Sequence, residues 1–234
     1  MHRKGAQDAK KAKRFTKITR EIISAAKGGM PDVNANPRLR SAVAWAREEN
    51  MPRDRIDAAI KRGAGNVDAD NYEEIRYEGY GPGGVAIIVH ALTDNRNRTA
   101  PDLRAAFAKF GGNMGETGSV SFMFDYVGLI QYPPTAATEE HMFEAALEAG
   151  AENCESNAAG HVITTAQDQF THVRDALEKS YGAPASAKLG WVPKNLTPVS
   201  EDQAAQLLKL IDTLEDFDDV QEVFFNFEIP EALL

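Results

Sequence analysis

Residues 79–89, Gly79-Tyr80-Gly81-Pro82-Gly83-Gly84-Val85-Ala86-Ile87-Ile88-Val89, separate two architectures. The first six satisfy the expression G-x-G-x-x-G, which in a doubly wound α/β domain follows a strand and opens a helix whose N-terminus holds a pyrophosphate. Here Val85–Val89 follows, an apolar run rich in β-branched residues, and it reads as a buried strand. The glycines are therefore a tight loop needing positive φ, not a nucleotide cradle. Glu74 to Tyr80, just upstream, alternates as a strand should.

Working outward, Thr99-Ala100-Pro101-Asp102 reads as a helix opening with Thr99 as N-cap, and Leu103, Ala106, Phe107 and Phe110 form its inner stripe. Ser119 to Asp125 alternates as a strand, which assigns Phe122 and Phe124 to the core, and Val127 to Tyr132 reads as another strand after a turn near Gly128. A helix over 139–149, strands over 153–157 and 161–165, a helix over 169–181 and a strand over 187–192 follow. With the Val127–Tyr132 strand placed first, the order is β-α-β-β-α-β. A helix over 201–214 and a strand over 220–229 then complete the unit begun at Val85. The expected class is α+β and multidomain: an N-terminal three-helix bundle followed by two ferredoxin-like α+β domains, the third inserted in the second. The expected divisions are 1–70, 71–132 plus 199–234, and 133–198, with 64–71 as a polar linker.

The bundle differs in charge from everything after it. Residues 1–65 hold 16 Lys and Arg against 7 Asp and Glu, whereas residues 66–234 hold 10 against 28. The net charge of −9 thus conceals a strongly basic end. From Ala6 to Lys27, Phe15, Ile18, Ile22 and Ala26 fall on one stripe at 100° per residue, and Lys10, Lys13, Arg14, Lys17 and Arg20 fall on the opposite face. Only Glu21 relieves that face, and like charges at i,i+4 repel, so an anionic partner is favoured. Asn36-Pro37 caps and opens a second helix and Met51-Pro52 a third. Arg3, Lys4, Arg53, Arg55, Lys61 and Arg62 extend the basic patch. Phosphate neutralisation by such cations gives sequence-independent affinity for nucleic acid.

Other function classes find little to stand on. A single cysteine, Cys154, excludes an internal disulfide and a Cys-based zinc site. The five histidines, His2, His90, His141, His161 and His172, lack ligand spacing. No P-loop, H-E-x-x-H or G-x-S-x-G occurs. No metal, cofactor or catalytic residue is expected, nor an enzyme. No apolar run approaches a membrane span, and the first fifteen residues do not read as a secretory signal, so a cytoplasmic location is expected. The segment Thr93-Asp94-Asn95-Arg96-Asn97-Arg98-Thr99 is richer. Asn95, Arg96, Asn97 and Arg98 read either as a donor-dense loop for RNA or a partner, or as a loop whose Asp and Asn bond locally. The nearby glycine-rich loop over 111–118 suits close approach to a ligand.

Five motifs together carry a resemblance: His2-Arg3-Lys4-Gly5-Ala6-Gln7-Asp8-Ala9-Lys10, Asn50-Met51-Pro52, Ala59-Ile60-Lys61-Arg62-Gly63, Tyr77 to Gly84, and Leu92-Thr93-Asp94-Asn95-Arg96-Asn97-Arg98-Thr99. In this order they resemble the YebC/PmpR family, which includes the mitochondrial translational activator of cytochrome oxidase, and the likeness spans essentially the whole chain. The resemblance implies a helical domain followed by two α+β domains. It also implies a cytoplasmic, non-enzymatic regulator of gene expression, named as a DNA-binding transcriptional regulator in bacteria, with members also associated with translation on the ribosome. Family members usually carry a segment like A-G-H-S-K-W-A-N-I-K ahead of the HRKG motif. The sequence has Met1 there, so no role of that segment carries over.

The first expectation is a DNA-binding transcriptional regulator. The alternative is a ribosome-associated translation factor contacting ribosomal RNA, with the 95–98 and 111–118 loops reaching a functional centre. A third reading is a protein-interaction adaptor using the acidic body. Expected partners are DNA or ribosomal RNA, and with them the ribosome or the transcription machinery, with no membrane involvement.

Overall fold

The computed structural model describes residues 2–65, 71–230 and 233, with side chains from residue 9 onward. It is an α+β protein with a helical N-terminal region and two antiparallel sheets. Two compact units divide it, one of residues 1–124 and 193–234, the other of residues 125–192.

The first unit opens with α1 (His2–Gly28), α2 (Pro37–Glu48) and α3 (Arg53–Ala64). The stripe read from the sequence is the packed one: Ile18, Ile22, Ile23 and Ala26 meet Leu39, Val43 and Ala46 of α2 and Ile56 and Ala59 of α3. Asn36 starts α2 by accepting from the Leu39 amide at 3.1 Å, and its amide nitrogen donates to the Ala25 carbonyl at 2.8 Å, stitching the end of α1 to the start of α2. Gly63 of α3 lies so close to α1 that a Cβ there would come within 2.5 Å of the Ile23 carbonyl oxygen.

The first sheet contains β1 (Glu73–Tyr80), β2 (Ala86–Thr93), the short β3 (Asn113–Met114) and β8 (Val220–Phe225), in the order β3-β1-β2-β8. Between β1 and β2 the glycine loop turns through Gly83 and Gly84, both with φ above 70°. The β-branched run pairs β2 with β8 from Ile87↔Phe225 onward, so β2 is internal and joins segments distant in sequence. The Ala86 amide donates to the Asn226 side chain, 140 residues away, at 2.8 Å. Helices α4 (Arg96–Lys109) and α7 (Glu201–Glu215) supply Leu103, Phe107, Leu207, Leu210 and Leu214 to the core under Val85, Ile87 and Val89. A Ser200–Gln203 capping box fixes the start of α7. Because β1 and β2 form a hairpin, the elements of this sheet run β-β-α-β-α-β, whereas the second unit keeps the β-α-β-β-α-β order.

The second unit consists of β4 (Phe124–Tyr132), α5 (Glu139–Glu148), β5 (Asn153–Asn157), β6 (Gly160–Thr165), α6 (Phe170–Tyr181) and β7 (Ser186–Pro193), with strand order β5-β6-β4-β7. Ile130, Tyr132, Met142, Ile163, Val173 and Leu177 form its core.

Three sequence expectations change here. In place of the two strands expected over 119–125 and 127–132 there is one, β4, which starts only at Phe124 and has no turn at Gly128. That glycine serves close packing instead, since a Cβ would lie 2.5 Å from the Phe170 ring. β4 pairs with β6, as the strand placed first in the β-α-β-β-α-β order should, and this compact unit comprises residues 125–192. Residues 121–123 form a 3₁₀ turn, so the alternation breaks: Phe124 is buried, but Phe122 is 65% exposed, not in the core. Finally, Asn95, not Thr99, caps α4, accepting from the Arg98 amide at 3.2 Å, and residues 96–98 are its first turn rather than a loop.

Candidate nucleic-acid interface

The cationic face of α1 is used in three different ways. Between Lys13 and Arg20 it docks on the acidic body. Arg20 pairs with Asp219 and donates to the Leu92 carbonyl at 3.1 Å. Lys17 donates to the carbonyl of Glu215, and Lys13 pairs with Asp216 at 2.7 Å. Burial pulls the Lys17 ammonium below its ordinary pKa, against the raising fields of Glu215, Asp218 and Asp216. Helix α7 has no basic residue in its last turn, so Lys17 supplies the cation that a helix C-terminus favours. Arg14, next to Lys13, instead grips both carboxylate oxygens of Glu49 at 3.0 and 3.2 Å.

Toward the N-terminus the face opens. Lys10 and Lys11 are exposed, and so are Arg53, Arg55, Lys61 and Arg62 of α3. Among the described residues Arg53 makes a loose 3.7 Å pair with Asp57 on its own helix. The folded bundle brings two of these cations to one aromatic ring: the Lys11 ammonium lies 5.5 Å from the Phe15 centroid and the Arg55 guanidinium 5.8 Å from it. Lys11 escaped the sequence reading because it sits one turn before Phe15, on the side assigned to the core. The i,i+4 spacing to a half-buried aromatic residue was the available signal. The side chains of Arg3 and Lys4 lie outside the described residues.

The Asn95–Arg98 segment is built into the scaffold. Arg98 donates to both oxygens of Asp219 at 2.9 and 3.0 Å and to Asp94 at 2.9 Å. The Thr99 hydroxyl donates to Asp219 at 2.6 Å. Burial alone would raise the Asp219 pKa, but Thr99, Arg20 and Arg98 outweigh it and hold it below its ordinary value. Arg96 makes an exposed 3.4 Å pair with Glu73, and Asn97 is exposed. Asn95 thus bonds locally as a cap, whereas Arg98 is held by Asp219, 121 residues on, as well as by Asp94.

The glycine-rich loop is also fixed from inside. Glu78, with its side chain wholly buried, accepts from the amides of Gly118 at 2.7 Å, Val120 at 3.1 Å and Ser121 at 2.6 Å, and from Arg76 Nε at 3.0 Å. Burial pushes this carboxyl up, and the three amides more than reverse it, leaving it below the usual carboxylate range. The exposed Phe122 follows directly on this clamp. Glu78 and Asp219 gave no sequence signal, because each acts through partners remote in the chain.

Among the described residues, no group of three or more His, Cys, Asp or Glu side chains is placed to hold a metal ion, and no helix is long and apolar enough to cross a membrane. Residues 1–66 match the model of the TACO1/YebC protein N-terminal domain, and residues 72–227 match that of the TACO1/YebC second and third domain. The chain is also similar to the crystal structure of a conserved hypothetical protein, Aq1575, from Aquifex aeolicus. The two share 43% identity over 97% of this chain and 94% of that one, with a TM-score of 0.85.

Proposed function

The chain belongs to the TACO1/YebC family, and from that premise we propose that it is a nucleic-acid-binding regulator of gene expression, with duplex DNA as its first target. The family is consistent with a regulatory, nucleic-acid-associated role. One observation carries the reading to particular residues: Lys11 of α1 and Arg55 of α3 converge on the Phe15 ring, with Lys10, Arg53, Lys61 and Arg62 exposed on the same two helices. Cations drawn from two helices neutralise successive phosphates without reading bases. The role assigned to them is positioning and affinity.

The test is a titration of the full chain with a 20-bp duplex across a salt series. About four to five neutralised phosphates give a log–log slope near −4. Lys11→Glu with Arg55→Glu should weaken binding and flatten the slope by about 2. A salt-independent affinity, or a double variant that binds as well as the parent, refutes the assignment.

A second reading, association with ribosomal RNA, is favoured by Phe122. An exposed aromatic side chain beside an internally clamped loop suits stacking of an unpaired base. Phe122→Ala should then weaken binding to single-stranded RNA and leave duplex DNA affinity unchanged.

A further inference from the structure

Lys13, Lys17 and Arg20 repeat at i, i+4 and i+7 on one helical face, in steps of about 6 and 4.5 Å along the axis. Against this face lies Glu215-Asp216-Phe217-Asp218-Asp219, four carboxylates in five residues. Phe217 packs on the core beneath the first sheet and so anchors the segment. Asp216 pairs with Lys13, the Glu215 carbonyl takes Lys17, Asp218 adds its field to Lys17, and Asp219 takes Arg20. Gln221 closes the contact by donating to the Lys17 carbonyl at 3.2 Å. A row of oxygens thus faces a row of cations, as a phosphate backbone would.

The contacts differ in how easily they exchange. Asp219 is 10% and Arg20 13% exposed, and Arg98 and Thr99 complete the carboxylate's partners. A buried, multiply bonded pair is costly to open. Lys13 and Asp216 are 41% and 64% exposed, so water and mobile ions already compete for them. The inner pair therefore holds α1 in place while the outer pair exchanges.

We propose that the Glu215–Asp219 segment is an intramolecular phosphate mimic, which occupies the Lys13/Lys17 face of α1 and yields it only to a dense phosphate array. This rests on the nucleic-acid reading above and adds a regulatory element to it. Isolated phosphates fail to displace the segment, whereas a polymer already held by Lys10, Lys11 and Arg55 brings further phosphates to the same helix at high local concentration.

The test compares full-length Asp216→Asn/Asp218→Asn with a control, Glu201→Gln/Asp202→Asn, which makes the same charge change at the opposite end of α7. Binding of a labelled 20-bp duplex is read by anisotropy at about 0.1 M salt. The first variant should bind about five-fold tighter and the control less than about two-fold. In a Lys13→Ala background, Asp216→Asn should give a smaller gain than in the parent, because only its field on Lys17 is left to remove. Equal tightening by both variants, or a full gain without Lys13, means a general charge effect and overturns the mimic. A parent that binds, with a first variant no tighter, overturns the mimic and leaves the nucleic-acid reading standing. No binding by any form removes both.

Discussion

Replacing Glu78 by Gln tests whether a buried carboxylate is what orders the loop over 111–121. The carboxylate accepts two bonds on each oxygen: Val120 and Ser121 amides on Oε1, and Gly118 amide and Arg76 Nε on Oε2. A glutamine keeps one oxygen, so in either orientation its NH₂ faces two donors. A buried donor left without its acceptor costs about 1–3 kcal/mol. Arg76 is 36% exposed and can turn to water, which lowers the sum. The expected loss is about 3 kcal/mol, a factor of about 100 in the local opening equilibrium. Amide hydrogen exchange at Gly118, Val120 and Ser121 should accelerate by about that factor, while amides in α2 and α3 keep parental rates. The pH dependence has a definite sign. The folded pKa is depressed, so the stabilisation is fully present above the unfolded value of about 4.3 and is lost as pH falls through the lower folded value. The parent should lose loop protection over that acid range, and the glutamine variant should not show this step. Unchanged exchange at all three amides would refute the account of the clamp.

Arg98→Ala should destabilise the first unit by about 1–2 kcal/mol, because Asp219 loses a two-point partner in a mostly buried site; Arg96→Ala, at an exposed pair, should be close to neutral in thermal unfolding. Gly63→Ala should cost about 1–3 kcal/mol by forcing α3 away from the Ile23 carbonyl, seen as a lowered unfolding midpoint in urea. Burial raises the Tyr132 pKa to about 12, with its hydroxyl donating to the Gly182 carbonyl at 2.9 Å. An ultraviolet titration should show one tyrosine ionising about two units late, with stability lost as pH rises from about 10 toward that value. A Tyr132→Phe variant should lack that late step.

The elements whose signals are local were legible in the sequence. The α1 stripe, the Asn36-Pro37 start of α2, the glycine turn before β2 and the order of helices and strands after residue 139 all follow from periodicity and cap chemistry within a few residues. That β8 shares a sheet with β2 was also legible, because the order of elements read as a split β-α-β unit whose last strand returns beside the first. The exposure of Phe122 was not legible, because a single 3₁₀ turn shifts the alternation without changing composition. The misplaced cap on α4 had a similar origin: Thr99 and Asn95 are both capable caps, and only burial of Thr99 beside Asp219 excludes it.

Charge shows the divide most sharply. Composition determined that the first 65 residues are basic and the remainder acidic, since it depends only on which residues are present. Tertiary structure decided where those charges go. It turned Lys13, Lys17 and Arg20 onto the acidic end of α7, bonded Arg98 to Asp219, and left Lys10, Lys11, Arg53 and Arg55 outward. A one-dimensional pattern records the angle of a side chain about its own helix but not what lies opposite. Opposite charges far apart in the chain meet only when the sheet that carries one of them has formed.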